Sequence, residues 1–433
     1  MPAEKGLAAR FELSNKSVRK GLEALEEEGL ILKIPRVGNQ VRSQLPRVTI
    51  RFGISQSIWR DLRLRHLIED FNRIYPHIEV KTISYSRILP EAARTDGNGF
   101  DLITSNIHQF QDMIATGIVD HLERLPEPPE THPFLLEPFR HEGGLYVQPL
   151  VFGPVVLCYN KTHFAERGIP EPDGSWTWNQ LMHSASALSN GAGRYGFGFY
   201  AMSDNRWPLF FLQSGNRYEW ERPWEHEALR RKLAQNMRIC KDMLHDRTMS
   251  PLYFSENDKE INQLFMEGKI SMMLASYTQM NDFIEASPDY DISPVPFQHD
   301  PATLLISIGV CMNRHSLHPE EAGLFLRFMA SQRAQEIIQA NTLSIPSFRP
   351  LMERPVPDVV KKPRRYALFR EMMFTFRSHR DLQLSNALSQ SLLRCIKEYW
   401  ADMLDEQQLC DQIFQAIRDD REHSGKQEPH PYS

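Results

Sequence analysis

The sequence predicts an α/β protein in two parts: a short head of helix, turn, helix and β-hairpin over residues 1–45, and a large body in which strands and helices alternate. Three observations carry this expectation. At 433 residues the chain exceeds what one compact core usually organises. Its apolar residues switch repeatedly between the alternation of a strand and the three-to-four-residue step of a helix. Charge divides as well, since the net −5 resolves into +3 over residues 1–47, nine Lys or Arg against six Glu, and −8 over the remainder. A basic head on an acidic body is the pattern of a chain whose head alone meets a polyanion.

In the head, Glu4 to Phe11 reads as a short helix and Glu12-Leu13-Ser14 as a tight turn, with Ser14 the N-cap of a second helix that runs to Glu28 and stops at Gly29. Val18, Leu22 and Leu25 form the apolar stripe of that helix, while Lys16, Arg19, Lys20 and Glu23 project the other way. Leu30 to Ile34 reads as a strand, Arg36-Val37-Gly38-Asn39 as a hairpin tip and Gln40-Val41 as the return, which is the order of a winged helix-turn-helix. Lys16, Arg19 and Lys20 near the helix start and Glu26, Glu27 and Glu28 at its end oppose the macrodipole at both ends. A phosphate backbone beside the basic end reverses that penalty there.

Together, Met1 to Phe11, Leu13-Ser14, Ser17-Val18-Arg19, Leu22, Leu25, Glu28 to Ile31 and Gly38 resemble the GntR family of winged-helix regulators. The resemblance implies that Ser14, Asn15, Lys16, Ser17, Arg19 and Lys20 approach the base edges and phosphates of a double-stranded DNA operator, with Arg36, Gly38, Asn39 and Arg42 forming the wing. Two departures stand out. Arg36, Asn39 and Gln40 replace the family's second wing glycine and Thr-Phe pair, and the first helix of the motif is missing before Met1-Pro2, so the head reads as truncated.

Pro46 marks a linker, after which Val48 to Ile54 alternates as a strand, Leu62 to Tyr75 has helical periodicity and Ile78 to Ile83 is the next strand. Asp101 to Thr104 and Ile114 to Val119 continue the alternation, which predicts a largely parallel sheet. Ligands on such sheets bind beyond the strand C-termini, here around Gln56, Trp59, Ser105 and Asn106. Ser385 to Arg418 carries Leu388, Leu392, Ile396, Tyr399 and Leu404, then Leu409, Ile413 and Ile417, at spacings that predict helices docked on the body.

Over residues 48 to 421 the ordered sum of short motifs resembles the extracellular solute-binding proteins of sugar ABC transporters. The matching runs are Leu67-Ile68 with Phe71, Tyr75-Pro76 with Ile78 and Val80, Phe100-Asp101-Leu102, Gly117 to Leu122, Gly144-Leu145-Tyr146, Pro149 and Tyr159-Asn160-Lys161 with Phe164. They continue with Thr177-Trp178 and Leu181, Phe265-Met266 with Gly268 to Met272, Glu321-Ala322 with Phe325-Leu326, and Pro346. That resemblance implies a two-lobed, periplasmic-binding-protein-like (type II) domain over 46–433. Lobe 1 takes about 48–150 plus 295–340, lobe 2 about 155–290 plus 345–421, and 422–433 is a disordered tail. The lobes close on a carbohydrate held between them. Sugar sites stack aromatic rings on pyranose faces and satisfy hydroxyls with a few polar groups. The expected rings are Trp59, Phe152, Trp207 and Tyr277, with Gln56, Ser105, Asn106, Gln213 and Arg349 as polar partners, whereas Trp178, at a helix start, reads as a packing residue.

No apolar run is long enough to span a membrane, and charges at Glu4, Lys5, Arg10, Glu12, Lys16, Arg19 and Lys20 interrupt any apolar core a signal peptide needs. The expectation is a cytoplasmic protein. Cys158, Cys240, Cys311, Cys395 and Cys410 are scattered without metal-ligand spacing and read as reduced thiols. No nucleophile motif, metal triad or phosphate loop points to an enzyme, a metal or a cofactor. The reading that follows is a sugar-responsive transcriptional regulator acting as a homodimer on a palindromic operator. The alternative, a transporter solute-binding protein with a non-functional DNA-binding remnant, lacks a signal peptide and an N-terminal lipid-attachment cysteine.

Overall fold

A computed structural model describes residues 4–27, 31–34, 38–41, 46–85, 99–191, 193–215, 226–247, 257–284, 288–355, 361–382 and 384–424. In the head, helices Glu4–Phe11 and Asn15–Glu27 precede an antiparallel hairpin of β1 (Ile31–Ile34) and β2 (Gly38–Val41). Ser14 caps the second helix, its Oγ accepting from the Ser17 N–H at 3.1 Å. Among the described residues only Val18, Leu22 and Ile31 are buried there, against partly buried Leu7, Ala8 and Leu25. The expected stop at Gly29, the tip residues Arg36 and Val37, and Arg42 lie outside the described residues. An order of elements on so small a core assigns no function by itself.

The body is built on one sheet. β3 (Val48–Ile54) lies parallel between β4 (Ile78–Ser84) and β5 (Leu102–Asn106). After the two-residue strands β6 (Arg140–His141) and β7 (Gly144–Leu145) comes β8 (Gln148–Asn160), every residue of which is buried. β9 (Tyr195–Gly198), β10 (Ile270–Ser276), β11 (Tyr290–Ser293) and β12 (Thr303–Met312) complete the main path, ordered β4-β3-β5-β12-β8-β10-β9 with β11 beside β8. The expectation of a largely parallel sheet is corrected: β12 is antiparallel to both β5 and β8, and β10 and β11 are antiparallel to β8. The short strands β13 (Ile345–Pro346) and β14 (Phe376–Arg377) add to β8 and β12.

Two lobes form because this sheet carries separate cores at its two ends. At one end Ile50, Phe52, Leu67 and Phe71 pack on Phe325 and Ile338, with the Phe71 and Phe325 ring centroids 4.8 Å apart. The other face of that lobe is filled by Ile103, Phe110 and Phe139. At the far end Leu157, Tyr159, Trp178 and Phe210 pack with Leu392, Ile396, Leu409, Ile413 and Ile417 from the closing helices Asn386–Trp400 and Glu406–Ser424. Those two helices dock on the lobe as their apolar spacing predicts, and the second extends through Ser424, into the stretch expected to be a disordered tail. Cys158, Cys240, Cys311 and Cys410 are buried as free thiols, and Cys395 is partly buried.

The chain crosses between lobes along β8, β12 and β13. Gln148 pairs with Val310 on the first-lobe side and Pro154 with Leu305 on the second, while Ile345 pairs with Phe152. Pro149 and Pro154 interrupt the ladder of a central strand, which is tolerated where pairing is irregular, and the β8–β12 register shifts between Ile308 and Gly309. A Cβ on Gly309 would lie 2.4 Å from the Gln148 carbonyl oxygen. Gly309→Ala must therefore push the crossing strands apart, and unfolding in urea is expected to show a loss of about 1–3 kcal/mol; a variant as stable as the parent contradicts this close approach.

Candidate functional site

Where the lobes meet, side chains from both enclose a cavity of about 10 Å³, bordered by His108 and Gln111 of the first lobe and by Asp204, Trp207, His379 and Ser389 of the second. Local chemistry explains the placement. β5 ends at Asn106, whose side chain accepts from the Gln109 N–H at 2.8 Å while Gln109 Oε1 accepts from the Asn106 N–H at 3.0 Å. This capping box starts helix Ile107–Ala115 at the strand end and turns His108 and Gln111 toward the facing lobe. On the second lobe, Pro208 opens helix Trp207–Leu212, where a missing N–H costs nothing.

The His379 ring sits 5.2 Å from that of His108 and shares a 2.8 Å hydrogen bond between Nε2 and the Asp204 carbonyl oxygen, to which an Nε2–H donates. Burial, helped by the neighbouring His108, pushes its pKa down to about 4. Burial pushes the Asp112 carboxyl up; His108 opposes the rise and Asp204 adds to it. Beside this cluster Arg380 bonds to the Glu137 carbonyl oxygen and reaches its carboxylate at 3.2 Å. At another point on the seam Arg60 bridges the buried Asp61 at 2.7 Å and Asp282 of the second lobe at 2.6 Å. Asp282 also accepts from Asn262 Nδ2 at 2.7 Å. The buried Arg206 donates to Gln279 and lies 3.4 Å from Asp258. Among the described residues no three His, Cys, Asp or Glu side chains are arranged to hold a metal ion.

The structure sorts the expected ligand residues sharply. Trp207 borders the cavity, though only 2% of it is exposed. Trp59, 40% exposed, and Gln56, exposed, lie beside Arg60 at the other point of the seam. Ser105 is buried, with its Oγ on the Asn106 carbonyl oxygen at 3.2 Å, and Asn106 is committed to capping. Three expectations are corrected. Phe152 is fully buried among Phe134, Phe369 and Phe376. Tyr277 is fully buried, its hydroxyl donating to the Tyr366 carbonyl oxygen at 2.9 Å. Gln213 is buried too, accepting from Trp178 Nε1 at 2.7 Å and donating to the Pro296 and Ala302 carbonyl oxygens. None of these three has a face or donor left for a ligand. Trp178 is the fully buried packing residue its sequence position predicts. Arg349 is exposed near Glu130 and His132 and does not border the cavity.

Sequence reading missed His108, Gln111, Asp204, His379 and Ser389. The first two could have been found from Asn106, because a capping residue at a strand end puts the next helical turn at the crevice. A wider hollow of about 600 Å³, walled by Pro294, Phe297, Arg364, Glu371 and Phe374, lies on the second lobe. Among the described residues it takes none from the first lobe.

Residues 66–365 match the family of bacterial extracellular solute-binding proteins. The chain belongs to that family. An ABC substrate-binding protein from Listeria monocytogenes in complex with cycloalternan superposes with a TM-score of 0.70 at 17% identity, covering 87% of this chain and 99% of that one. Maltose-bound MalE3 of T. maritima gives 0.73 at 15% identity, over 86% and 99%. The GacH receptor of Streptomyces glaucescens gives 0.70 at 17%, over 87% and 98%. Relatives from Brucella abortus and Brucella suis, whose names assign a binding role only provisionally, are 24% identical over 253 residues. That alignment spans 54% of this chain and 59% of theirs.

The family assignment overturns the regulator reading and the expectation of a cytoplasmic protein; the family match begins at residue 66 and lends the GntR resemblance of the head no support. Neither the operator nor the homodimer gains support from these matches. In the head, Ser14, Asn15, Lys16, Ser17, Arg19, Lys20 and Gly38 are exposed and Asn39 half-buried, and the Arg19 guanidinium pairs with Glu4 at 2.8 Å.

A histidine held neutral by burial lends stability that is full above its unfolded pKa and is lost as pH falls through the folded one. Between about pH 6.5 and pH 4 the protein is therefore expected to lose stability as the pH drops. His379→Gln keeps a donor for Asp204 and cannot titrate. Urea midpoints across that range should decline less for the variant; parallel declines mean that His379 does not titrate as its surroundings dictate.

Proposed function

We propose that this protein binds a carbohydrate between its lobes and serves, outside the cytoplasm, as the recognition component of an ABC-type uptake system. The observation that carries the reading is the interlobe cavity, bordered by polar groups of both lobes. A ligand seated there touches both lobes only when they are closed, so binding and closure are one event. A cavity of about 10 Å³ holds at most a water molecule, so the lobes must stand further apart than they do here to admit and hold a sugar. The described neighbours support a carbohydrate, being bound to cycloalternan in one case and to maltose in another.

In this reading His108, Gln111, Asp204, Trp207 and Ser389 meet ligand hydroxyls, while Trp59 and Gln56 approach from the other point of the seam, Trp59 offering an open ring face. The work is binding rather than catalysis. Calorimetric titration with glucose, maltose, maltotriose and acarbose is expected to show saturable one-site binding to at least one of them. Replacing Gln111 and Asp204 by Ala should weaken it by on the order of tenfold per lost hydrogen bond while leaving the fold intact. Heat-silent titrations across the set, or binding indifferent to both substitutions, would remove the reading.

A further inference from the structure

Trp178 and Trp207 sit in one core and are treated differently by it. Both are buried, at 0% and 2% exposure. The indole of Trp178 donates to Gln213 Oε1 at 2.7 Å, and Gln213 is itself fixed by two backbone carbonyls. Trp207 packs edge-on against Phe211 with centroids 5.5 Å apart, and its buried Nε1 has no acceptor. Trp400 Nε1 is also without an acceptor, but Trp400 does not border the cavity. Leaving a buried donor unpaired is costly, and native cores seldom do so without a purpose. Trp207 combines an unpaired donor with a place on the wall of the interlobe cavity.

We propose that Trp207 is a specificity-determining residue that reads the ligand by its edge, donating the indole N–H to a ligand oxygen. The assignment rests on the carbohydrate reading and deepens it. It replaces the face-on stacking that sequence alone predicts, because no face of this ring is open. Asp204 and Ser389 border the same cavity, so an oxygen that accepts from Trp207 while donating to a carboxylate is met by a hydroxyl, the group that does both. A ligand lacking that hydroxyl leaves the donor buried and unpaired and is rejected for that reason.

The test replaces Trp207 site-specifically with benzothienylalanine, which keeps the shape of the ring and puts sulfur where the N–H was. Without ligand, the melting temperature should stay within a degree of the parent or rise. A fall of several degrees shows the N–H already paired, for instance by a water, and overturns the assignment. With maltotriose, affinity should fall about tenfold; equal affinity overturns it. Trp207→Phe provides a second check, because it should discriminate less than the parent between maltotriose and its monodeoxy analogues, whereas simple loosening of the core weakens all of them alike and contradicts the proposal. If the parent protein binds none of these sugars, the carbohydrate reading itself fails and the assignment goes with it, a result separable from failure of the Trp207 arms on a parent that binds.

Discussion

The pairing of β8 with β12 is the constraint on which the rest of the structure depends. Each strand contributes one end to either lobe, so neither core can be completed without the other strand in register. Slipping the pair by one residue would turn every buried side chain to the opposite face of the sheet. The register is held by Gln148 opposite Val310 and Leu305 opposite Pro154, with an irregularity between Ile308 and Gly309. Side-chain bonds reinforce it where the strands leave the ladder, from Thr303 Oγ1 to the Val155 carbonyl oxygen at 2.6 Å and from Ser307 Oγ to that of Val151 at 3.1 Å.

The charged contacts across the seam are individually modest. Arg380 and Glu137 are about half exposed, and such a pair is worth ~0–1 kcal/mol. Arg60 with Asp282 is better shielded, but its gain is set against the desolvation of Asp61, whose carboxyl burial pushes up while Arg60 draws it down. The His108 and His379 rings add an uncharged contact as long as His379 stays neutral. Open and closed states separated by so little are the condition under which a ligand decides between them, because it need supply only a few kcal/mol of preference for closure.

Much of the fold was legible in the sequence where apolar periodicity and local chemistry agree. Val48–Ile54 is a strand to the residue, helix Leu64–Ile74 falls inside its predicted span, and the stripe of Leu388, Leu392 and Ile396 docks as its spacing requires. The central strand was not legible, because Pro149 and Pro154 lie inside a continuous apolar run that has no alternation to read. The misplaced site residues fail for a related reason. Phe152 and Tyr277 lie in or just beyond strands covered on both faces, where an aromatic ring fills a core, and Gln213 serves an indole 35 residues away in sequence. His379 had no local signal, since its partner His108 lies 271 positions earlier. In the head, periodicity gave the elements correctly, yet its charge pattern was read as a demand for an external polyanion when Glu4, on the neighbouring helix, supplies the counter-charge of Arg19.

The central claim is that closure and ligand binding are a single event at the β8–β12 crossing. Small-angle X-ray scattering of the protein with and without a saturating carbohydrate tests it most directly. The account predicts a ligand-free particle with a larger radius of gyration than the sugar-saturated one, which contracts as the lobes draw together on the ligand. A profile that matches the closed structure before ligand and does not change when the sugar is demonstrably bound would contradict it.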